Sequence, residues 1–244
     1  MIPLRDNIPT RRFPIVTVLL IVVNSLIFLL ESAIGNAAAE DLIYQFGFVP
    51  ARITSQWTNP AVLLTLFTSM YLHGGWFHLI SNMLYLWIFG NNIEDNMGRL
   101  RFFVFYTLCG VLAATAQIAV APNSEMPGVG ASGAIAGVLG AYLLLYPQAR
   151  IRTLVLLPFW FVTVNLPAMI VLGGWFLTQF FNGLASLNVQ MQVGGVAWWA
   201  HIGGFVAGVV LAPLFRREEP PGGYGLDRYK SYYRRGRGRP GGYW

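Results

Sequence analysis

The chain has 244 residues, 55% of them hydrophobic and only 11% charged, with a mean hydropathy of +0.54. Soluble domains carry about a quarter charged residues, so this composition excludes an ordinary soluble domain and describes an integral membrane protein. The net charge of +6 is concentrated in the C-terminal tail; the body is nearly balanced, so the basic pI does not define a nucleic-acid binder, and the single cysteine, Cys109, rules out an intramolecular disulfide.

Residues 1–12 carry Arg5, Arg11 and Arg12 and read as a cytoplasmic N-terminus. A first span follows at about 13–33. Arg11-Arg12, the apolar run and Ala37-Ala38-Ala39 resemble a signal peptide, but the run exceeds a signal core and reads as a retained span. Residues 34–77 form an unusually long outer connection. It holds Phe46, Phe48, Trp57, Leu63, Leu64, Leu66 and Phe67, broken by Pro50 and Pro60, a pattern that predicts short helices in the membrane interface.

Further spans are predicted at about 78–93, 101–120, 131–147, 166–185 and 195–215. Cys109 lies in the third as a small packing residue. The stretch 153–164 is apolar but too short to span; it reads as a buried inner loop or interfacial segment, or as half of a broken helix. Residues 217–244, rich in Gly, Pro, Tyr and Arg, read as a disordered cytoplasmic tail. The simplest role for that tail is a solvated positive charge that fixes topology, with anionic lipid as a candidate contact and no nucleic acid expected. Of the 16 Lys and Arg, only Arg52 falls on the outer side of this arrangement, so both termini are expected in the cytoplasm. The expected architecture is therefore an all-α membrane protein of six transmembrane helices, with a long interfacial loop between the first two.

Two of these spans carry chemistry. Ser132 lies in Gly130-Ala131-Ser132-Gly133 and His201 in Ala200-His201-Ile202-Gly203-Gly204, each at the outer end of its span. An ionisable residue inside a span is costly and marks a functional site. A serine hydroxyl becomes a useful nucleophile when a base takes its proton. Ser132 precedes Arg150 by 18 residues and His201 precedes Arg216 by 15. At 1.5 Å per residue these put them roughly 27 and 22 Å above the cytoplasmic arginines, at similar depths below the outer surface. Gly204 and Gly208 share a helix face with His201, and Gly133, Gly137 and Gly140 follow Ser132. Small residues let membrane helices approach closely. Helix packing alone accounts for the glycines, but not for a histidine on the packing face.

A third group lies in His73-Gly74-Gly75-Trp76-Phe77-His78-Leu79-Ile80-Ser81-Asn82. His78 and Asn82 are four apart on one helix face. Their N–H groups, with the Ser132 backbone N–H at a helix N-terminus, are candidate donors to a developing oxyanion. A polar pair bracing the outer loop is the plainer reading of the same residues. His73 reads as a loop brace. Glu31 lies near an outer end, and Glu94 and Asp95 at the inner boundary, so no carboxylate is placed to orient His201 and the expected unit is a dyad. The absence of deep carboxylates argues against an aspartyl protease or proton-coupled transporter, and no His-Glu-x-x-His zinc motif is present.

These motifs resemble those of the rhomboid family of intramembrane serine proteases. The resemblance rests on His73, His78 and Asn82 as His-x4-His-x3-Asn, on Gly130-x-Ser132-Gly133, and on Ala200-His201-x-x-Gly204-x-x-x-Gly208, in that order. Thr68-Ser69-Met70-Tyr71-Leu72, Phe89-Gly90 and Glu94 look similar too, and the likeness covers about 13–216. It implies a rhomboid-type six-helix bundle with the short fourth helix at its centre. Ser132 becomes the nucleophile, His201 the base, and His78, Asn82 and the Ser132 N–H the oxyanion hole, with no metal or organic cofactor. Substrates become transmembrane segments of other proteins, with Gly or Pro near the cut. Some members carry an aromatic four residues after the serine, stacked on the histidine. Here that position is Ala136, which leaves Trp198 or Trp199 as candidates for the contact. Arg52 and Trp57 are separated where many members carry adjacent Trp-Arg. Near the fifth span, Trp175 and Phe176 read either as a lateral gate, with Gly194-Gly195 as a hinge, or as plain lipid-facing aromatics. A bacterial or archaeal plasma membrane is the expected location. A catalytically silent client-binding protein and a small transporter are the competing classes. The first is expected to lack the serine or the histidine, the second to show repeat symmetry; this chain shows neither mark.

Overall fold

The computed structural model describes residues 1–157, 160–188 and 196–217. The tail expected at 217–244 and the Gly194-Gly195 hinge therefore lie, apart from Arg217, outside the described residues. In chain order the elements are β1 (Ile2–Asp6), α1 (Ile15–Ala33), α2 (Asn36–Phe46), α3 (Pro50–Ser55), α4 (Pro60–Thr68), α5 (Trp76–Tyr85), α6 (Asn91–Met97), α7 (Arg99–Val120), α8 (Ser132–Leu145), β2 (Arg150–Leu157), β3 (Trp160–Pro167), α9 (Ala168–Asn188) and α10 (Trp198–Phe215). A π-helical turn, Leu86–Gly90, joins α5 to α6.

Four of the described helices are long and apolar enough to cross a membrane: α1, α7, most of α9, and α10. Their outward faces are apolar, as with Leu19, Val22, Leu26 and Leu30 on α1, the surface that lipid requires. The protein is a multi-pass membrane protein. The second and fourth expected spans fall on α5–α6 and on α8, which is apolar but only 14 residues long. At 1.5 Å per residue α8 covers about 21 Å, less than the hydrocarbon thickness.

α8 is the centre of the molecule. Every residue from Gly133 to Tyr142 is buried, between α7 on one side and α10 on the other. The contact depends on glycine. A Cβ at Gly204 would strike the carbonyl of Gly133, one at Gly208 the carbonyl of Gly137, and one at Gly140 the carbonyl of Phe205. On the opposite side, Gly133 and Gly137 rest on Ala113 and Cys109 of α7. Cys109 is a free, fully buried thiol that serves as a small packing residue. Lipid supplies no hydrophobic drive for helix association, so backbone-to-backbone packing has to supply it.

The end of the molecule away from Ser132 is held by carboxylates, Glu94 and Asp6. The sequence supplies no side-chain cap for α1, whose N-cap position is Pro14. Glu94 of α6 fills that role: its carboxylate accepts from the Val16 N–H at 3.0 Å, the Thr17 N–H at 2.8 Å and the Thr17 hydroxyl at 2.9 Å. A helix start has orphan N–H donors and a positive dipole end, and a carboxylate satisfies both.

The expectation of an all-α fold is corrected here by a three-stranded antiparallel sheet in the order β1-β2-β3. Among its described residues the stretch 153–164 is strand, not a buried loop or half a helix. It lies in a hairpin whose register runs from Arg150↔Pro167 to Leu157↔Trp160. Its β-branched and aromatic residues suit a strand. β1 pairs on the other edge of β2, with a register shift between Pro3 and Arg5. Asp6 ends β1 and ties it to the bundle, accepting from Asn92 Nδ2 at 2.6 Å and from the Tyr142 hydroxyl of α8.

The outer connection carries α2, α3 and α4. Phe48 exchanges two backbone hydrogen bonds with Gly128, at 3.1 and 2.8 Å, and Arg52 Nη2 donates to the Gly47 carbonyl at 2.9 Å. Phe48, Ile53 and Val62 pack with Ala114 of α7 in a small second core. Arg52 thus braces this segment without an adjacent tryptophan.

Two outcomes follow for stability. Gly208→Ala is expected to push α8 and α10 apart and lower stability by about 1–3 kcal/mol. Gly174→Ala on α9, where a Cβ meets nothing, is expected to be neutral or mildly stabilising; thermal unfolding of both in detergent distinguishes them. Burial pushes the Asp6 carboxyl up from 3.8 to about 6. A carboxyl held above its unfolded value holds its proton more tightly when folded. Its contribution is complete below about 3.8 and is lost as pH rises through about 6. Asp6→Asn is expected to flatten that part of the melting-temperature curve, and an unchanged slope would contradict the assignment.

Candidate active site

Ser132 is the first residue of α8, entered from Gly130 at φ +118. Only glycine takes that conformation readily, and the space is closed as well, because a Cβ there would meet the His78 ring. The Gly130 N–H donates to the Ser69 carbonyl at 2.8 Å, which pins the approach to α8 against the turn before His73. The Ser132 N–H belongs to the first turn of α8, where backbone donors have no intrahelical acceptor.

His201 lies in the first turn of α10, one turn from its N-cap position at Ala197. That end is fastened to α7, since the Ala200 N–H donates to Gln117 Oε1 at 3.3 Å. The His201 Nε2 and the Ser132 Oγ are 2.8 Å apart. The glycine contacts between α8 and α10 hold the pair at this separation. On its other edge, His201 Nδ1 is 2.8 Å from Oε1 of Gln179, a buried residue of α9. Trp175 of α9 lies over the imidazole at 5.8 Å between ring centroids, and Trp198 meets it edge-on at 6.3 Å. Trp175 also packs on Phe205. With Ala136 fully buried in the core, the aromatic contact to the histidine comes from α9 and α10. Of the two tryptophans expected there, Trp198 is in place. Trp175, read in the sequence as a gate or a lipid-facing aromatic, is the second.

His78 and Asn82 occupy one face of α5 beside this pair. The His78 ring abuts Gly130. Asn82 is buried and donates one N–H to the His78 carbonyl at 3.0 Å, which leaves its second N–H available. His73 is buried beneath them, edge-on to His78 at 5.1 Å and to Phe28 at 6.5 Å. Its backbone N–H donates to Glu31 Oε2 at 3.3 Å. Burial, and secondarily the neighbouring His78, hold the His73 imidazole down at about 4. His73 is therefore neutral near pH 7, with its ring packed against that of His78.

The structure thus brings Ser132 and His201 into contact and sets Gly130 and His78 against each other beside them. Gly133, Gly204 and Gly208 lie in the α8–α10 contact. Gln179 went unread in the sequence. Its signal was an amide in the middle of an apolar run, a group that needs an internal partner in lipid, but which partner depends on tertiary packing.

The geometry describes a multi-pass membrane protein with a serine–histidine hydrogen bond near one end of its buried central helix. A sequence model of the Rhomboid domain matches residues 60–218. The chain belongs to the rhomboid family. Rhomboid protease GluP of Bacillus subtilis (strain 168) is 30% identical over 201 residues, covering 82% of this chain and 34% of that protein. RHOMBOID-like protein 5 of Arabidopsis thaliana is 28% identical over 187 residues, covering 69% of this chain and 52% of that one. The human presenilin-associated rhomboid-like protein, mitochondrial, is 30% identical over 170 residues, with 63% of this chain and 44% of that one covered. The chain spans between about a third and half of the length of these relatives.

Proposed function

We propose that this chain is an intramembrane serine endopeptidase that hydrolyses peptide bonds in or near transmembrane segments of other membrane proteins. The observation that carries the reading is the 2.8 Å contact between His201 Nε2 and Ser132 Oγ. In this reading, Ser132 Oγ attacks the scissile carbonyl while His201 takes its proton. His201 then returns that proton to the leaving amine, and a water activated by the same imidazole hydrolyses the acyl-enzyme. The Ser132 N–H, the His78 ring and the free N–H of Asn82 receive the charge that develops on the carbonyl oxygen. No step requires a metal or an organic cofactor.

A helical substrate hides its own peptide bonds. Substrates with Gly or Pro near the cut, where the helix opens easily, suit the site best. The same reading places six spans in the bilayer, counting α5–α6 and α8, with α2–α4 in the outer interface. Both termini lie in the cytoplasm of a plasma membrane, and the basic tail lies near anionic lipid. GluP, by its name a rhomboid protease, is the relative that supports the reading.

In liposomes holding a reporter with a Gly/Pro-containing transmembrane segment, Ser132→Ala and His201→Ala are each expected to abolish cleavage while leaving a folded, extractable protein. Asn82→Ala is expected to slow it by about 10²–10³-fold, the worth of one oxyanion donor. Full activity in Ser132→Ala would overturn the reading.

A further inference from the structure

We propose that Gln179 is the positioning residue of the site: it fixes the tautomer of His201 so that Nε2 is free to accept the Ser132 proton. The proposal rests on the serine–histidine reading above. It is carried by a hydrogen-bond chain whose polarity is determined at one end.

The chain starts on α9. The Thr178 hydroxyl donates to the Trp175 carbonyl at 2.6 Å, which commits its only proton. The Thr178 oxygen is left as an acceptor. The Gln179 amide group facing Thr178 lies 3.1 Å from that oxygen and 3.4 Å from the same Trp175 carbonyl. Both neighbours are acceptors, so the group facing them is the NH₂. The flipped amide would set two carbonyl oxygens against each other and is excluded by the network. Gln179 Oε1 therefore faces His201, where it is 2.8 Å from Nδ1. An amide oxygen can only accept, so Nδ1 carries the proton. In a neutral imidazole Nε2 is then the bare nitrogen, and it lies 2.8 Å from Ser132 Oγ.

The direction of every bond thus follows from one backbone carbonyl: Ser132 O–H to His201, His201 N–H to Gln179, Gln179 N–H to Thr178, and Thr178 O–H to Trp175. Gln179 performs the orienting job of a carboxylate in a Ser-His-Asp triad, without placing a charge in the low-dielectric interior. Trp175, Thr178 and Gln179 share one turn of α9, so a single helix holds both the ring face and the ring edge of His201. A displacement of α9 would release both together.

The test combines two readouts on the full chain in detergent or liposomes. In wild type, ¹⁵N NMR of labelled histidine is expected to show His201 protonated at Nδ1, with the resonance assigned by its loss in His201→Ala. Labelling of Ser132 by a fluorophosphonate is expected to slow by about 10²-fold in Gln179→Leu. That is less than the roughly 10⁴-fold loss when the wrong tautomer is enforced, because leucine leaves both tautomers populated. Gln179→Glu keeps an acceptor at Nδ1 and is expected to restore labelling, which a merely space-filling role would not predict. Protonation at Nε2 in wild type would overturn the proposal without any variant. So would unchanged labelling in Gln179→Leu, or a Gln179→Glu protein as slow as the leucine variant. Labelling that persists in Ser132→Ala would instead sink the serine reading itself, so the two failures are separable.

Discussion

The structure depends on how closely α8 and α10 approach. The glycines at 133, 137, 140, 204 and 208 bring backbone against backbone, and a single Cβ at 204 or 208 would meet a carbonyl of the facing helix. In lipid such contact is the main source of helix association. The same contact fixes the N-terminal ends of the two helices, and those ends carry Ser132 and His201. The 2.8 Å hydrogen bond between them is in this sense a product of packing. The side chains need no special reach because the backbones are already adjacent.

A short central helix makes the rest of the arrangement necessary. α8 is only 14 residues long, and polar side chains gather at its first turn. α5 sets the His78 ring against Gly130, α9 sets Gln179 against His201, and α7 supplies Gln117 to the neighbouring end of α10. Around this polar knot, Trp175, Trp198 and Phe205 form an aromatic wall. At the opposite end, Glu94 caps α1, and Asp6 ties the sheet to Tyr142 of α8. Both ends of the central helix are therefore fastened by hydrogen bonds to distant parts of the chain, while its middle is held by close packing alone.

Much of this was legible in the sequence, for identifiable reasons. Ser132 and His201 stand out because each is a polar residue among glycines at one end of an apolar run, at similar distances, 18 and 15 residues, from a following arginine. The glycine spacing marks the packing face. The helices of the outer connection follow from Pro50 and Pro60, which start α3 and α4. The sheet was not legible. A short run of apolar β-branched residues reads equally as strand or buried helix, and its partner β1 lies almost 150 residues away in a segment that looked like a charged terminus. Gln179 was missed for a related reason. Its role depends on α9 facing α10 in one rotation, and the polar residues of α9 do not mark that rotation, since Asn182, three residues after Gln179, is exposed. Trp175 illustrates the same point: nothing in its sequence position shows that its ring contacts the imidazole.

The most direct test of the account is to treat the folded protein in liposomes with a fluorophosphonate and locate the adduct by peptide mass spectrometry. The account predicts one adduct, on Ser132, and none when His201 is replaced by alanine. A folded, monodisperse protein that acquires no adduct, or acquires it on another serine, would contradict the claim that packing of α8 against α10 creates an activated nucleophile.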